Sequence, residues 1–393
     1  MSPVAPPPRH AWQVIAAGIC ALVLTVGLAR FAYTPLLPVM RADAGLSAAG
    51  GGWLATFNYL GYLAGTLLVA RVGDMQLKFR FYRIGLVLAV VSTGLMGATG
   101  HMGSWGVLRF VAGLSSTAGL LLASGLVLNW LLAHQRRPQL GLHFAGLGLG
   151  IAVSGLAAAA MADHLASSRQ WMALGAVAIV FLVPAWAWMP APVPISNATG
   201  AAAPPAPGRR WRGLLIASYF CAGFGFVVSA TFIVAILVQT PAFAGRGSWV
   251  WVLVGITAIP STFAWDRLAA RLGLIRALML AYALQTVSFV LPLLDDGIAA
   301  GAASAVLFGL TFAGIVSLTL TVVGRHYPHN PAKAMAMLTL SYGVAQIIAP
   351  AIAGTLARES GSYQGALVLA AIMMAIGIVL LWCMPDDAGS TAA

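Results

Sequence analysis

Apolar, almost uncharged stretches of about twenty residues or more recur along the whole chain, separated by short polar breaks. Each is long enough to cross ~30 Å of hydrocarbon as a helix. Continuous runs of this kind exclude a membrane barrel, whose strands are short and alternate apolar with polar. The pattern predicts about twelve spans, over residues 12–38, 47–70, 81–100, 104–132, 140–163, 171–189, 213–239, 248–265, 275–294, 298–323, 333–357 and 363–385. The first run follows Arg9 and His10 as a signal peptide would, but it is too long and lacks a small-residue cleavage site, so it is expected to be a retained span.

Composition agrees with an all-α membrane protein: 60% of residues are hydrophobic and 8% are charged, against ~25% charged in soluble domains. The net charge of +12 is distributed by topology rather than gathered into a nucleic-acid footprint. With the N-terminus in the cytoplasm, fifteen Lys and Arg fall on the cytoplasmic side, and only Arg41, Arg169, Arg246 and Arg358 fall outside. That bias places both termini in the cytoplasm. Cys20, Cys221 and Cys383 are far apart, with no disulfide or metal spacing. No cofactor and no metal is expected.

Residues 190–212, rich in Pro and Ala and ending in Arg209, Arg210 and Arg212, read as a cytoplasmic linker between six spans and six spans. The domains are therefore an N-terminal bundle over 1–189 and a C-terminal bundle over 213–393. The halves echo each other. "ARVG" at 70–73 recurs as "ARLG" at 270–273, and "AGLSSTAGL" at 112–120 recurs loosely as "FGLTFAGIV" at 308–316.

On these residues the chain resembles the major facilitator superfamily. "GTLLVARVGD" (65–74) keeps Gly65, Arg71 and Gly73 of that family's G-x-x-x-D-R-x-G-R-R loop but has Ala70 in place of the acid. "WDRLAARLG" (265–273) supplies Asp266, Arg271 and Gly273. "RFVAGLSSTAG" resembles the R-x-x-x-G pattern of the fourth helix, through Arg109 and Gly113. "GLGLGIAVSG" (146–155) resembles the glycine-rich antiporter motif but lacks its Gly-Pro pair. "GLARFAYTPLLPVM" (27–40) with "GFGFVVSATFIVAIL" (223–237) is similar to the YbfB/YjiJ-type branch. The resemblance implies twelve transmembrane helices in two pseudo-symmetric six-helix bundles, alternating access, and a cytoplasmic gate held by Arg71, Asp266 and Arg271.

Arg30 and Arg109 are the only cations inside the spans, and an Arg at a helix centre costs ~2.5–3.5 kcal/mol on translocon scales. Helical spacing puts Gly27, Tyr33 and Thr34 beside Arg30. Pro35 and Pro38 remove backbone donors and are expected to kink or unwind the helix just beyond. Asn58 with Tyr62, and Thr339 with Tyr342 and Gln346, form further polar faces. The expected substrate site is therefore Arg30, Tyr33, Thr34, Asn58, Tyr62, Arg109, Tyr342 and Gln346. Ser229 and Gln285 are expected to make interhelical hydrogen bonds. His143 is expected at the interface, as are Trp12, Trp53, Trp105, Trp171, Trp188 and Trp249.

All nine acids, from Asp43 to Asp387, fall in loops, at helix ends or in the tail. A cavity with cations and no buried anion has a positive potential and favours an anionic or acidic solute. The sequence thus suggests a monomeric carrier of a small organic anion in the bacterial inner membrane, not an enzyme. A coupled proton or counter-anion is left open. The alternative is an efflux pump for neutral or amphipathic compounds.

Overall fold

A computed structural model describes residues 10–135, 140–193, 208–326 and 331–385. Its helices are α1 (Ala11–Ala44), α2 (Ala48–Ala70), α3 (Met75–Ala98), α4 (Met102–Ala133), α5 (Leu140–Met161) and α6 (Ser167–Trp188). They are followed by α7 (Arg209–Leu237), the bent pair α8 (Gly247–Ala258 and Ser261–Leu272), α9 (Leu274–Leu294), α10 (Ile298–His326), α11 (Pro331–Ser360) and α12 (Gln364–Trp382). Eleven pass as spans singly, and α8, bent by 45° at Ile259–Pro260, makes the twelfth. Most of the linker, residues 194–207, lies outside the described residues, and Arg209, Arg210 and Arg212 ride on the first turn of α7.

Local chemistry fixes several boundaries. Gly45 ends α1 at φ +63°, a left-handed cap that a Cβ would strain. The Ser47 hydroxyl then accepts from Gly50 N to start α2. The Asp74 carboxylate caps α3, accepting from the N–H groups of Gln76 and Leu77 at 3.0 Å each. Proline governs α1 from the inside. Its ring at position 35 collides with the carbonyl of residue 31 in a regular α-helix, and the chain responds with a π-helical stretch, Val23–Phe31, ending at that residue. The expected irregularity is therefore real, but it lies before the prolines, and Tyr33–Ala44 continues as helix through Pro38.

The helices divide into two sets of six whose neighbours repeat. In the first half α1 packs on α5 and α6, α2 on α4, and α3 on α4 and α6. In the second α7 packs on α11 and α12, α8 on α10, and α9 on α10 and α12. The halves meet through α2 against α11 and α5 against α8, pairs that exchange under the same repeat. Small residues make this possible. A Cβ on Gly52 would lie 2.2 Å from Pro350 O, and one on Gly255 would lie 2.3 Å from Ala152 N. Between membrane helices such close backbone approach supplies the dispersion contacts that hydrophobic burial cannot. Outward-facing apolar side chains, such as Val107, Val180 and Val183, are 61–66% exposed, which suits a lipid-facing surface.

Two expectations about position are corrected. Trp105 and Trp171 are core residues, their indole N–H groups donating to Met96 O and Met40 Sδ, whereas Trp12, Trp53 and Trp249 are exposed as expected. His143 is fully buried among α1, α4 and α5, with Nε2 2.8 Å from Ser124 Oγ, and not at an interface.

Candidate functional site

The π stretch of α1 decides what its polar residues face. Two carbonyls near its end, Ala29 O and Arg30 O, accept from outside the helix. Arg109 of α4 supplies the donors: Nη1 reaches Ala29 O at 3.1 Å and Arg30 O at 3.3 Å, and Nη2 also reaches Arg30 O at 3.3 Å. Its guanidinium lies 4.4 Å from the Tyr33 ring centre. Asn58 of α2 donates to Arg109 O at 2.9 Å, tying the third helix into the cluster. Arg109 is thus engaged by backbone on one side and by an aromatic face on the other.

Arg30 is placed differently. It is 4% exposed, and its guanidinium stands 4.4 Å from the Tyr59 ring centre, 4.7 Å from Tyr62 and 5.4 Å from Phe31. Ring faces attract a desolvated cation by ~2 kcal/mol. Among the described residues its side chain has no hydrogen-bond partner, and Nε is buried without an acceptor. The two arginines look alike in sequence, and Nε of each is buried without an acceptor, but only Arg109 has its terminal nitrogens bonded to described residues.

A small cavity, with room for about one water, lies between the halves. It is lined by Arg30, Phe31, Tyr33, Thr34, Ala55, Asn58, Tyr59, Arg109, Ala230 and Thr231. Five of the expected site residues therefore converge: Arg30, Tyr33, Thr34, Asn58 and Arg109. Tyr62 flanks Arg30 just off the lining. Tyr342 and Gln346 are buried on α11 and are not part of the lining; Tyr342 packs against the rings of Tyr219 and Phe226. Two buried acceptors, Asn58 Oδ1 and Gln346 Oε1, have no donor.

The face expected around Arg30 is spread over three neighbours. Gly27 packs against α5, where its Cβ would lie 2.5 Å from Gly150 Cα. The Tyr33 hydroxyl donates to Gly51 O of α2 at 2.9 Å, and the Thr34 hydroxyl donates to Ala230 O of α7. The interhelical bond expected of Gln285 is not made: both polar atoms of its buried amide lack partners.

Sequence reasoning missed the aromatic group. Phe31 meets Phe226 and Trp251 edge to face at 6.4 and 6.0 Å, and Phe226 continues to Phe308, Phe312 and Tyr342. The available signals were Tyr59 with Tyr62 at i, i+3 and Phe308 with Phe312 at i, i+4, each in mid-span.

Of the expected gate residues, Gly65 and Gly113 serve helix packing, their Cβ positions filled by Thr117 and by Asn58 O. Gly73 has open space, and Gly273 turns the chain between α8 and α9 at φ +87°. Arg71, Asp266 and Arg271 are exposed. Among the described residues the one ion pair is Arg358–Glu359 at 3.9 Å, so Asp266 is not paired with Arg71 or Arg271 in this conformation. The opposite end, which carries the α1–α2 loop, is closed by the Gly52–Pro350 approach, the Thr34–Ala230 bond and Arg41, whose Nη1 donates to the Tyr363 hydroxyl at 3.1 Å.

Three solved structures share this architecture. The nucleoside transporter NupG superposes with a TM-score of 0.73 at 14% identity, covering 96% of this chain and 99% of that one. A bacterial homologue of the human lysosomal transporter Spinster, inward-facing and unoccupied, gives 0.70 at 13%, covering 99% and 100%. The human organic anion transporter MFSD10 (TETRAN) gives 0.67 at 17%, covering 96% and 100%. No curated protein sequence matches the chain significantly. Residues 22–382 match the family described as "Uncharacterised MFS-type transporter YbfB". A twelve-helix fold in two repeated halves, a cavity between them and a family match over most of the length agree: the chain belongs to this YbfB-type family of major facilitator transporters, multi-pass membrane proteins that move solutes and are not enzymes.

Proposed function

We propose that the transported solute is a small organic anion, held by Arg30 between two six-helix bundles that alternate access across the bacterial inner membrane. The observation that carries this reading is the Arg30 guanidinium. It is buried and held by ring faces, with no acceptor for its hydrogen bonds among the described residues. Within the described spans no carboxylate faces it, so a bound anion would supply both the missing charge and the missing acceptors. The structural neighbours include transporters named for nucleosides and for organic anions. At 14–17% identity they share the fold alone, and the substrate argument rests on Arg30.

The excess of basic residues on one side supports cytoplasmic termini. The tightly closed end with the α1–α2 loop is then periplasmic, and the Asp266, Arg71 and Arg271 cluster is cytoplasmic, free to pair when that end closes. The bundles span 1–189 and 213–393, joined by the 190–212 linker, and the protein acts as a monomer.

The test is substrate-dependent stabilisation and uptake in proteoliposomes for wild type, Arg30→Gln and Arg30→Lys. Stabilisation by a ligand follows its concentration relative to Kd, so weak hits register at high concentration. Anions should stabilise wild type, and both variants should lose this while remaining folded, because Lys offers a point charge and not a planar fork. The aromatic lining favours one rival, an exporter of neutral amphipathic compounds. Transport of neutral compounds that is indifferent to Arg30→Gln would establish that rival and remove the anion reading.

A further inference from the structure

The aromatic group lies where a fixed core is least expected, on the surface along which the halves must move. Phe31 belongs to the first half, whereas Phe226 and Trp251 belong to the second, and their rings meet at 6.4 and 6.0 Å with interplanar angles of 69° and 75°. Inside one bundle such contacts would persist through the transport cycle. Between bundles that rock over each other they must part, and parting uncovers ring faces beside the Arg30 guanidinium. Water covers those faces poorly. A flat ring replaces the lost edge-to-face contacts, which are worth ~0.5–1.5 kcal/mol beyond the area they bury. A saturated group of the same size fills the volume without that gain.

The approach to Arg30 is also constrained. Tyr59 and Tyr62 crowd its guanidinium at 4.4 and 4.7 Å, so a ligand ring is not needed to stack on the cation. What remains for a ligand is the set of unused N–H donors, which lie in the guanidinium plane and suit a carboxylate or similar planar oxyanion. The oxyanion and the flat group thus have separate seats, adjacent because Phe31 directly follows Arg30 and touches both the cation, at 5.4 Å, and the rings of the second half.

We propose that the substrate is an aromatic acid. Its oxyanion meets Arg30, and its ring takes the place of the Phe31 edge against Phe226 and Trp251. This rests on the reading of Arg30 as the anion site and goes beyond it by fixing the chemistry of the rest of the molecule.

The experiment uses the full-length protein in nanodiscs and matched ligands: benzoate, cyclohexanecarboxylate and benzamide, then cinnamate and 3-cyclohexylpropanoate for a longer spacing. Dissociation constants come from intrinsic fluorescence and thermal-shift titrations. In at least one pair the aromatic acid should bind about tenfold tighter than its saturated counterpart, and benzamide should bind much more weakly than benzoate. Phe226→Leu should bring the aromatic-to-saturated ratio close to one, weakening the aromatic acid more than the saturated one. Phe312→Leu, one ring farther from the first half, serves if Phe226→Leu is not monodisperse. Equal affinities within both pairs, lost together in Arg30→Gln, would overturn the aromatic inference and leave the anion reading standing. Binding of benzamide as tight as benzoate and insensitive to Arg30→Gln would overturn the anion reading, and an aromatic acid with it. No binding by any acid up to about 10 mM would overturn both.

Discussion

Replacing Gly113 by Ala tests whether the α2–α4 contact is what builds the site. A Cβ at Gly113 would lie 1.8 Å from Asn58 O and 3.0 Å from Tyr62 N, and the reciprocal contact from Gly61 would lie 1.9 Å from Phe110 O. Ordinary contact begins near 3.4 Å, so α2 and α4 must separate by about 1.6 Å. The obstacle is backbone, and no rotamer change relieves it. A gap of even 0.5–1 Å forfeits roughly a quarter to a half of each dispersion contact along the seam. A shift of that size also takes the Asn58–Arg109 hydrogen bond of 2.9 Å beyond bonding range and draws Tyr59 and Tyr62 away from Arg30. Overpacking typically costs ~1–3 kcal/mol, and with the hydrogen bond the total is about 3 kcal/mol.

Gly125 on the same helix is the control, because a Cβ there meets nothing within 4 Å and Ala is the better helix former. In detergent, Gly113→Ala should melt several degrees below wild type and lose anion-dependent stabilisation, whereas Gly125→Ala should match or exceed wild type. If Gly113→Ala melts with Gly125→Ala and keeps its ligand response, the claim that this glycine contact positions Arg30's surroundings is refuted.

Other outcomes follow from the same structure. Cys383 is exposed just after α12 and Cys221 is buried, so an impermeant maleimide should label Cys383 in inside-out vesicles and not in intact spheroplasts. Labelling of intact spheroplasts would reverse the orientation. Gly18→Ala puts a Cβ 2.4 Å from His143 Nδ1 and should destabilise by ~1–3 kcal/mol in thermal melts. Adding His143→Ala should recover part of that loss, and strict additivity of the two changes would show that they do not meet. Thr56 donates to Ile347 O at 2.8 Å across the halves. Thr56→Val, losing ~0.6 kcal/mol, should raise the population with that end open about threefold. Spin labels at Ala44 and Gln364 read this as a longer distance, and an unchanged distribution counts against the bond holding the end shut.

The fold was legible because membrane spans are written in length and hydropathy, and these survive local irregularity. The apolar runs gave twelve helices and the echoes of "ARVG" in "ARLG" gave the repeat, which the packing partners of α1–α6 and α7–α12 reproduce. What the runs could not give was depth. Trp105 and Trp171 sit near span ends as interfacial anchors do, yet each donates to a buried acceptor supplied by another segment. His143, close to the start of α5, is covered because Gly18 on α1 leaves it room. Burial of this kind depends on which helix lies opposite, and a single chain's periodicity does not contain that.

The site shows the limit most clearly. Two arginines in apolar spans invite one explanation, and both were expected at the substrate site. The structure keeps both beside the cavity but gives them different partners. Along and just beyond Val23–Phe31, Gly27 turns to α5, Tyr33 reaches α2, Thr34 reaches α7, and Arg30 O takes Arg109 as a donor. The terminal nitrogens of Arg109 are engaged there, although its Nε has no acceptor. Arg30 is left as the cation whose side chain donates to none of the described residues, and helical spacing alone could not tell the two apart.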